Sequence, residues 1–200
     1  MSVTAAHTTS STIGLENVVI APLTKDDESG VTYGDVQALA GAIEASVTPS
    51  NTDSDVQYAD DIEFDVLVPD PDITFKTEMV DIPLAIQEMI YSHEIDDNGV
   101  LIRTAGDTPP YFAVGFRSVK ANGKYRYVWL YKVRAKAVTE TYHTKEGETI
   151  TRQTGALEWT AIKRTNDGRY QAVADEGENG FTKEKGAAFL TTVYDPVFSD

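Results

Sequence analysis

His7, His93 and His143 are the only imidazoles in the chain, and cysteine is absent. None of the three has a partner at metal-ligand spacing, so each is expected at the surface and not on a metal. Without cysteine there is no zinc thiolate site, no thiol nucleophile and no disulfide framework, which is compatible with a reducing compartment. Glu94 to Gly99 has the look of a calcium loop. Setting Asn98-Gly99 at that loop's fifth and sixth positions, however, puts Ala105 where the bidentate glutamate belongs. No phosphate-cradling glycine motif, GxSxG or HExxH occurs. Asp and Glu together number 32, so some pair will lie close in space, yet no spacing singles out an acid and base for glycoside hydrolysis. Neither catalytic residues nor a cofactor are expected, and a carboxylate-based hydrolase is kept only as a rival reading.

The stretch richest in geometry is Pro109 to Lys136, PPYFAVGFRSVKANGKYRYVWLYKVRAK. Rings interleaved with Arg and Lys are what a single-strand nucleic-acid platform needs, and the alternation is equally that of a half-buried hairpin. Asn122-Gly123 favours a type I′ turn with a two-residue loop. With Ala121 opposite Lys124, that loop sets Phe116 across from Trp129, Val114 from Tyr131 and Phe112 from Val133 on one face. The other face then pairs Arg117 with Val128, Gly115 with Leu130 and Ala113 with Lys132. Tyr127, Trp129 and Tyr131 would join Phe112 and Phe116, an arrangement of a core. Asn122 and Gly123 are thus expected to form the turn, and Phe116 and Trp129 the core beneath it.

The elements that must position this hairpin are mostly short strands. Two hundred residues, 41% of them hydrophobic, suit one domain with its own core. Residues 1–13 read as a polar N-terminal arm. Residues 14–176 read as a β domain with a long loop near 49–72, and 177–200 as a C-terminal arm or short helix, with Ala187 to Tyr194 its structured part. Strands are expected at Leu15–Pro22, 42–48, Ile62–Val68, 72–80, Val100–Arg103 and Gly155–Arg164, with an acidic turn at Lys25–Gly30. Asn166-Asp167-Gly168 should turn the chain into a strand at Tyr170–Ala174, and Val138–Thr144 with Thr149–Thr154 should form a second hairpin. Ile82 to Ser92 is the one convincing helix, with Asp81 near its N-cap, Pro83 in its first turn and Ile82, Ile86, Met89 and Ile90 on one side. The fold class is mainly β: a β-sandwich or barrel of short antiparallel strands with one flanking α-helix.

The formal net charge is −15. Residues 1–100 carry 20 acidic and 2 basic side chains, and residues 101–200 carry 12 and 15. A field of this sign repels free nucleic acid, which disfavours sequence-reading of DNA. No stretch approaches the ~20 apolar residues of a membrane span, and the first residues lack the basic and apolar regions of a signal peptide.

Several stretches together resemble the phage major tail protein family of the phi13 type, the tail tube proteins of long-tailed phages. They are Gly14-Leu15-Glu16-Asn17-Val18 with Ala21-Pro22, Thr32-Tyr33-Gly34, Gly41-Ala42-Ile43, Tyr58-Ala59-Asp60-Asp61, Ile82-Pro83 and Asp97-Asn98-Gly99-Val100-Leu101. The hairpin core from Tyr111 to Phe116 and from Asn122 to Tyr131 completes the set. The likeness lies in order and spacing and covers about residues 14 to 165. It implies a structural virion protein without enzymatic activity or cofactor, assembled as hexameric rings stacked head to tail into a tube. The implied partners are further copies of the chain, the tape measure protein in the lumen, and tail terminator and distal tail proteins at the ends. DNA would pass without specific binding, no membrane would be involved, and the protein would reside in the virion tail after assembly in the host cytoplasm. With that implication, Arg126, Lys132, Arg134 and Lys136 become candidate contacts to acids on a neighbouring subunit, with Asp53, Asp55, Asp70 and Asp72 as candidate partners. The same cations could instead satisfy acids within the subunit. The alternative from another class is a soluble β-barrel or β-sandwich that binds a carbohydrate or other small ligand on its aromatic face.

Overall fold

The computed structural model describes residues 10–39, 41–49, 73–137 and 155–198, together with the backbone of 55–59 and 62–67. In chain order the elements are β1 (Thr12–Asp27), β2 (Gly30–Tyr33), β3 (Gln37–Ala38), β4 (Ala42–Pro49), β5 (Asp55–Ala59), β6 (Ile62–Leu67) and β7 (Ile73–Met79). They continue with α1 (Leu84–Tyr91), β8 (Glu94–Ile95), β9 (Leu101–Ile102), β10 (Tyr111–Lys120), β11 (Tyr125–Ala135), β12 (Gly155–Ala161), β13 (Gln171–Asp175) and α2 (Lys183–Phe189). The protein is mainly β, with antiparallel sheets and a flanking helix. The expected domain of residues 14–176 is distributed over two compact units: 1–43, 111–132 and 163–200 form the first, 44–110 and 133–162 the second. The hairpin expected at Val138–Thr144 and Thr149–Thr154 lies outside the described residues.

In the first unit β1 lies between β10 and β3. Val19 stands opposite Gly115 on one side and Ala38 on the other. A register shift falls between Glu16 and Val19, where Asn17 takes a φ of 49°; asparagine tolerates the left-handed conformation that a bulge requires. β1 runs on to Asp27 and returns into β2 through Glu28 and Ser29, so the acidic turn is tighter than the six residues expected. Asp27 Oδ1 accepts the Ser29 N–H at 2.8 Å and closes it. β13 pairs with β11, Trp129 standing opposite Ala172 and Tyr127 opposite Ala174.

The β10–β11 turn corrects the two-residue loop. Gly123 N–H donates to the Lys120 carbonyl at 2.9 Å and Lys120 N–H to the Lys124 carbonyl at 2.8 Å, so the loop is Ala121–Gly123 and Lys120 faces Lys124. Gly123 has a φ of 77°, and Asn122 is not left-handed; the turn is of type I followed by a glycine bulge, which asks for one positive φ instead of two. Asn122 Oδ1 accepts the Lys124 N–H at 3.1 Å. Its own N–H and that of Ala121 donate to Ser10 Oγ and the Ser11 carbonyl. The end of the expected N-terminal arm is therefore bonded to the hairpin tip.

A slip of one residue turns every side chain of a strand to the other face. Trp129 accordingly faces Gly115 and not Phe116: a Cβ built on Gly115 would sit 2.8 Å from the indole. Tyr127, Trp129 and Tyr131 share a cluster with Ala113 and Phe189. Phe112, Val114 and Phe116 are buried too, but alternation places them on the opposite face of β10.

In the second unit the end of β11 pairs with β12, β12 with β7, and β7 with β4. The alternation expected here holds. Ile73, Phe75 and Met79 on β7 are buried, and Leu157, Trp159 and Ala161 on β12 are buried as well, with Phe75 opposite Trp159. Within the expected long loop, β5 and β6 form a two-stranded antiparallel sheet. α1 begins at Leu84 with Pro83 as its N-cap and no side-chain cap, which displaces Asp81 from that role; the Pro83 carbonyl accepts Ile86 and Gln87 N–H. The side of α1 turned inward carries Gln87, Ile90 and Tyr91, so Ile86 and Met89 are only half-buried. α2, in the first unit, starts four residues before the segment expected at Ala187–Tyr194 and is capped by Thr182, whose hydroxyl accepts the Lys185 N–H.

Candidate assembly surfaces and the aromatic hairpin

Whether the aromatic face of β11 is a platform or a core follows from what covers it. Trp129 is fully buried, and its Nε1–H donates to the Phe189 carbonyl of α2 at 2.8 Å. The Tyr127 ring packs against Phe181 and Phe189 at 5.6 and 5.7 Å between centroids, and its hydroxyl donates to Glu176. α2 comes this close because residue 186 is glycine: a Cβ there would stand 2.6 Å from the Tyr127 oxygen. Rings closed off in this way are unavailable to stack on bases or sugars, so the face serves as core.

Four of the hairpin cations, Lys120, Arg126, Lys132 and Lys136, meet acids of their own chain. Arg126 Nε and Nη2 donate to the two carboxylate oxygens of Asp175 at 2.8 and 2.7 Å, and Lys120 adds a third contact at 2.8 Å. These Arg and Lys hydrogen bonds pull the Asp175 carboxyl down to about 2 against the opposing effect of burial. Lys132 Nζ donates to Asp26 Oδ2 at 2.5 Å and to Thr165 Oγ1. Burial alone would raise Asp26; the Lys132 bond and the backbone N–H groups of Thr165 and Asn166 more than reverse it and hold the carboxyl at about 2. Lys136 bonds Glu158, which also meets Lys76. Arg134 is half-buried and stands opposite Thr160. Arg126, Lys132 and Lys136 thus each meet an acid of their own chain. Asp55 opens β5 opposite Leu67, while Asp53, Asp70 and Asp72 lie outside the described residues.

Surfaces without such partners lie elsewhere. In the first unit, β13 pairs with β11 alone among the described strands. Its H-bonding residues toward β11 include Tyr170 and Glu176, so the main-chain groups of Gln171 and Val173 point away from the sheet. Val173 is 54% exposed. A groove of about 790 Å³ runs beside it, lined by Ala174, Phe181, Ala188, Phe189, Tyr194 and Val197 among others. Val197, which lines it, and the next residue, Phe198, are 89% and 71% exposed. In the second unit, β4 pairs with β7 and ends that run of strands.

One buried and one half-buried polar group were not foreseen. Arg164 is 2% exposed; it bonds Asp167 through Nε and Nη2 and lies 4.2 Å over the Tyr131 ring. Burial works against its charge, but Asp167 and Tyr33 outweigh that and raise its pKa. His93, expected at the surface, has a side chain only 15% exposed and contacts Asp107 at 2.7 Å. A signal for this was present in Thr104 to Asp107, whose spacing suits a carboxylate-closed turn. His7 and His143 lie outside the described residues.

No protein-family model matches the chain, and no curated protein matches it. Fold and surfaces together define a mainly β antiparallel protein, helix-flanked, with Arg126, Lys132 and Lys136 paired to acids of the same chain and with a β13 edge that no other described strand covers.

Proposed function

We propose that the chain is a structural protein of a long-tailed phage, the major subunit of its tail tube, assembled as stacked hexameric rings that hold a tape measure protein and conduct DNA. The observation that carries this reading is the β13 edge, which no described strand other than β11 pairs, beside an apolar groove. An exposed strand with unpaired main-chain groups and apolar neighbours is a template for another chain. The order and spacing of the stretches that resemble tail tube proteins supply the identity of that other chain, a further copy. An overall charge of −15 supports passage of DNA without adhesion. The carbohydrate-binding alternative loses its proposed platform, since Trp129, Tyr127 and Tyr131 are covered.

Negative-stain electron microscopy and sedimentation of the purified protein over a range of concentrations test the proposal. Rings or hollow tubes are the expected outcome. A monomer at all concentrations that remains monomeric with preformed tail-tip complexes would overturn it. Val173→Glu places a charge at the open edge and should weaken assembly at least tenfold while leaving the monomer folded.

A further inference from the structure

Asparagine is followed by glycine three times in the chain, at Asn98-Gly99, Asn122-Gly123 and Asn179-Gly180. The pair is chemically fragile, because glycine has no side chain to shield its main-chain nitrogen from the side-chain carbonyl carbon of the asparagine before it. All three glycines have a positive φ, 79°, 77° and 87°, and a Cβ built on any of them would meet no atom within 4 Å. All three asparagines are exposed. Solvent and steric access therefore do not separate the three pairs. Hydrogen bonding does.

Gly99 N–H donates to the Asp96 carbonyl at 2.9 Å, and the Asn98 amide is tied back, its Nδ2 donating to Asp96 Oδ2 at 3.2 Å. Gly123 N–H donates to the Lys120 carbonyl at 2.9 Å, while Asn122 Oδ1 accepts the Lys124 N–H at 3.1 Å. In both turns the nitrogen that would attack keeps its proton in a hydrogen bond, and the amide it would attack is held by another group. Both bonds must break before reaction. At Asn179 neither restraint is present: no described residue hydrogen-bonds its side chain or the Gly180 N–H. The groups on either side are held instead. Phe181 N–H donates to the Glu178 carbonyl at 3.1 Å and Lys185 Nζ to the Gly180 carbonyl at 2.6 Å, so the turn from β13 into α2 is anchored around a reactive pair that is itself unengaged.

We propose that Asn179 is a site of spontaneous deamidation by water, with the Gly180 main-chain nitrogen as the nucleophile. That nitrogen gives its proton to solvent and bonds to Cγ of Asn179; the Cγ–Nδ2 bond breaks, and Nδ2 leaves as ammonia, which takes up a proton. Water then opens the cyclic imide at one of its two carbonyl carbons. Opening at Cγ leaves aspartate, and opening at the main-chain carbonyl carbon leaves isoaspartate, in which the chain runs through the former side chain and is one carbon longer. In sum one water is consumed, one ammonium is released and one carboxylate is gained, with no oxidant or reductant. The new charge lies in the lining of the groove beside β13, to which Asn179 belongs. The modification is independent of tube assembly, since it needs only water and the folded turn.

The test is peptide mapping by mass spectrometry of the full folded chain aged at pH 8, beside the same chain aged in guanidinium chloride, with electron-transfer fragmentation to tell isoaspartate from aspartate. In the folded chain both products are expected at position 179 at least tenfold faster than at 98 or 122, and in denaturant the three rates should converge. Asn179→Gln should remove the fast phase of ammonia release and leave the slow ones. The idea is overturned if position 98 or 122 of the folded chain reacts as fast as 179, or if 179 stays intact in the folded chain while reacting in denaturant. The same ranking in denaturant would overturn it as well, by placing the cause in the flanking sequence and not in the fold.

Discussion

A Cβ added at Gly115 would stand 2.8 Å from Cε3 of Trp129, a distance that one of the two must yield. Trp129 is fully buried and pinned through Nε1 to α2, so the strain falls on packed neighbours. Gly115→Ala should cost ~1 to 3 kcal/mol by overpacking, read as a lower urea midpoint, although a helix-and-strand propensity scale would favour alanine. A midpoint at or above the parent's would show that the indole has room to move. Charge is held as tightly as volume. Asp26 and Asp175, with side chains 5% and 16% exposed, titrate at about 2 in the folded state, against ~3.9 for an unfolded aspartate. A depressed folded pKa means stability that is fully present above about pH 4 and is lost as pH falls toward 2, on the order of 2 kcal/mol for each group. Urea midpoints should therefore drop steeply between pH 4 and pH 2. Asp175→Asn should be less stable at pH 7 and lose less over that window; an unchanged acid slope in the variant would remove Asp175 from the explanation.

Among the elements, α2 is the one whose docking decides the state of the hairpin. It contributes Phe189 to the cluster of Tyr127, Trp129 and Tyr131 and reaches it over Gly186. Trp129→Ala should cost ~3 to 5 kcal/mol, measured by chemical unfolding, and a near-neutral result with lost assembly would mean the ring works at an interface. Most strands were legible because period-2 alternation needs only local residues: β7 and β12 bury the side chains their patterns single out. Loop length was not legible. Asn122-Gly123 suits a two-residue loop, but Ser10 and Ser11 bond the Asn122 and Ala121 N–H groups, and those acceptors lie more than a hundred residues away along the chain. The cations were half legible for the same reason. Their alternation on β11 could be read, whereas Asp26 and Asp175, which satisfy Lys132 and Arg126, are brought in by other strands. His93 was misplaced because its partner depends on the turn from Thr104 to Asp107 and on the left-handed end of α1.

At the scale of the whole molecule, tube formation predicts a difference between two truncations. Removing residues 1–9 keeps Ser10, Ser11 and the Thr12 pairing with Lys120, so the monomer should retain its stability while polymerising less readily. Removing 1–13 also takes away the acceptors at the hairpin tip and should lower the unfolding midpoint. Tubes unchanged by the shorter deletion would relieve the arm of any role in assembly. Each unit also encloses one tryptophan completely, Trp129 in the first and Trp159 in the second, and the chain has no others. The protein thus carries two intrinsic fluorophores, one per unit. Emission from Trp129→Phe reports the second unit and emission from Trp159→Phe the first; coincident red shifts during unfolding would make the two units one cooperative system, and separate shifts would rank their stabilities without any added dye.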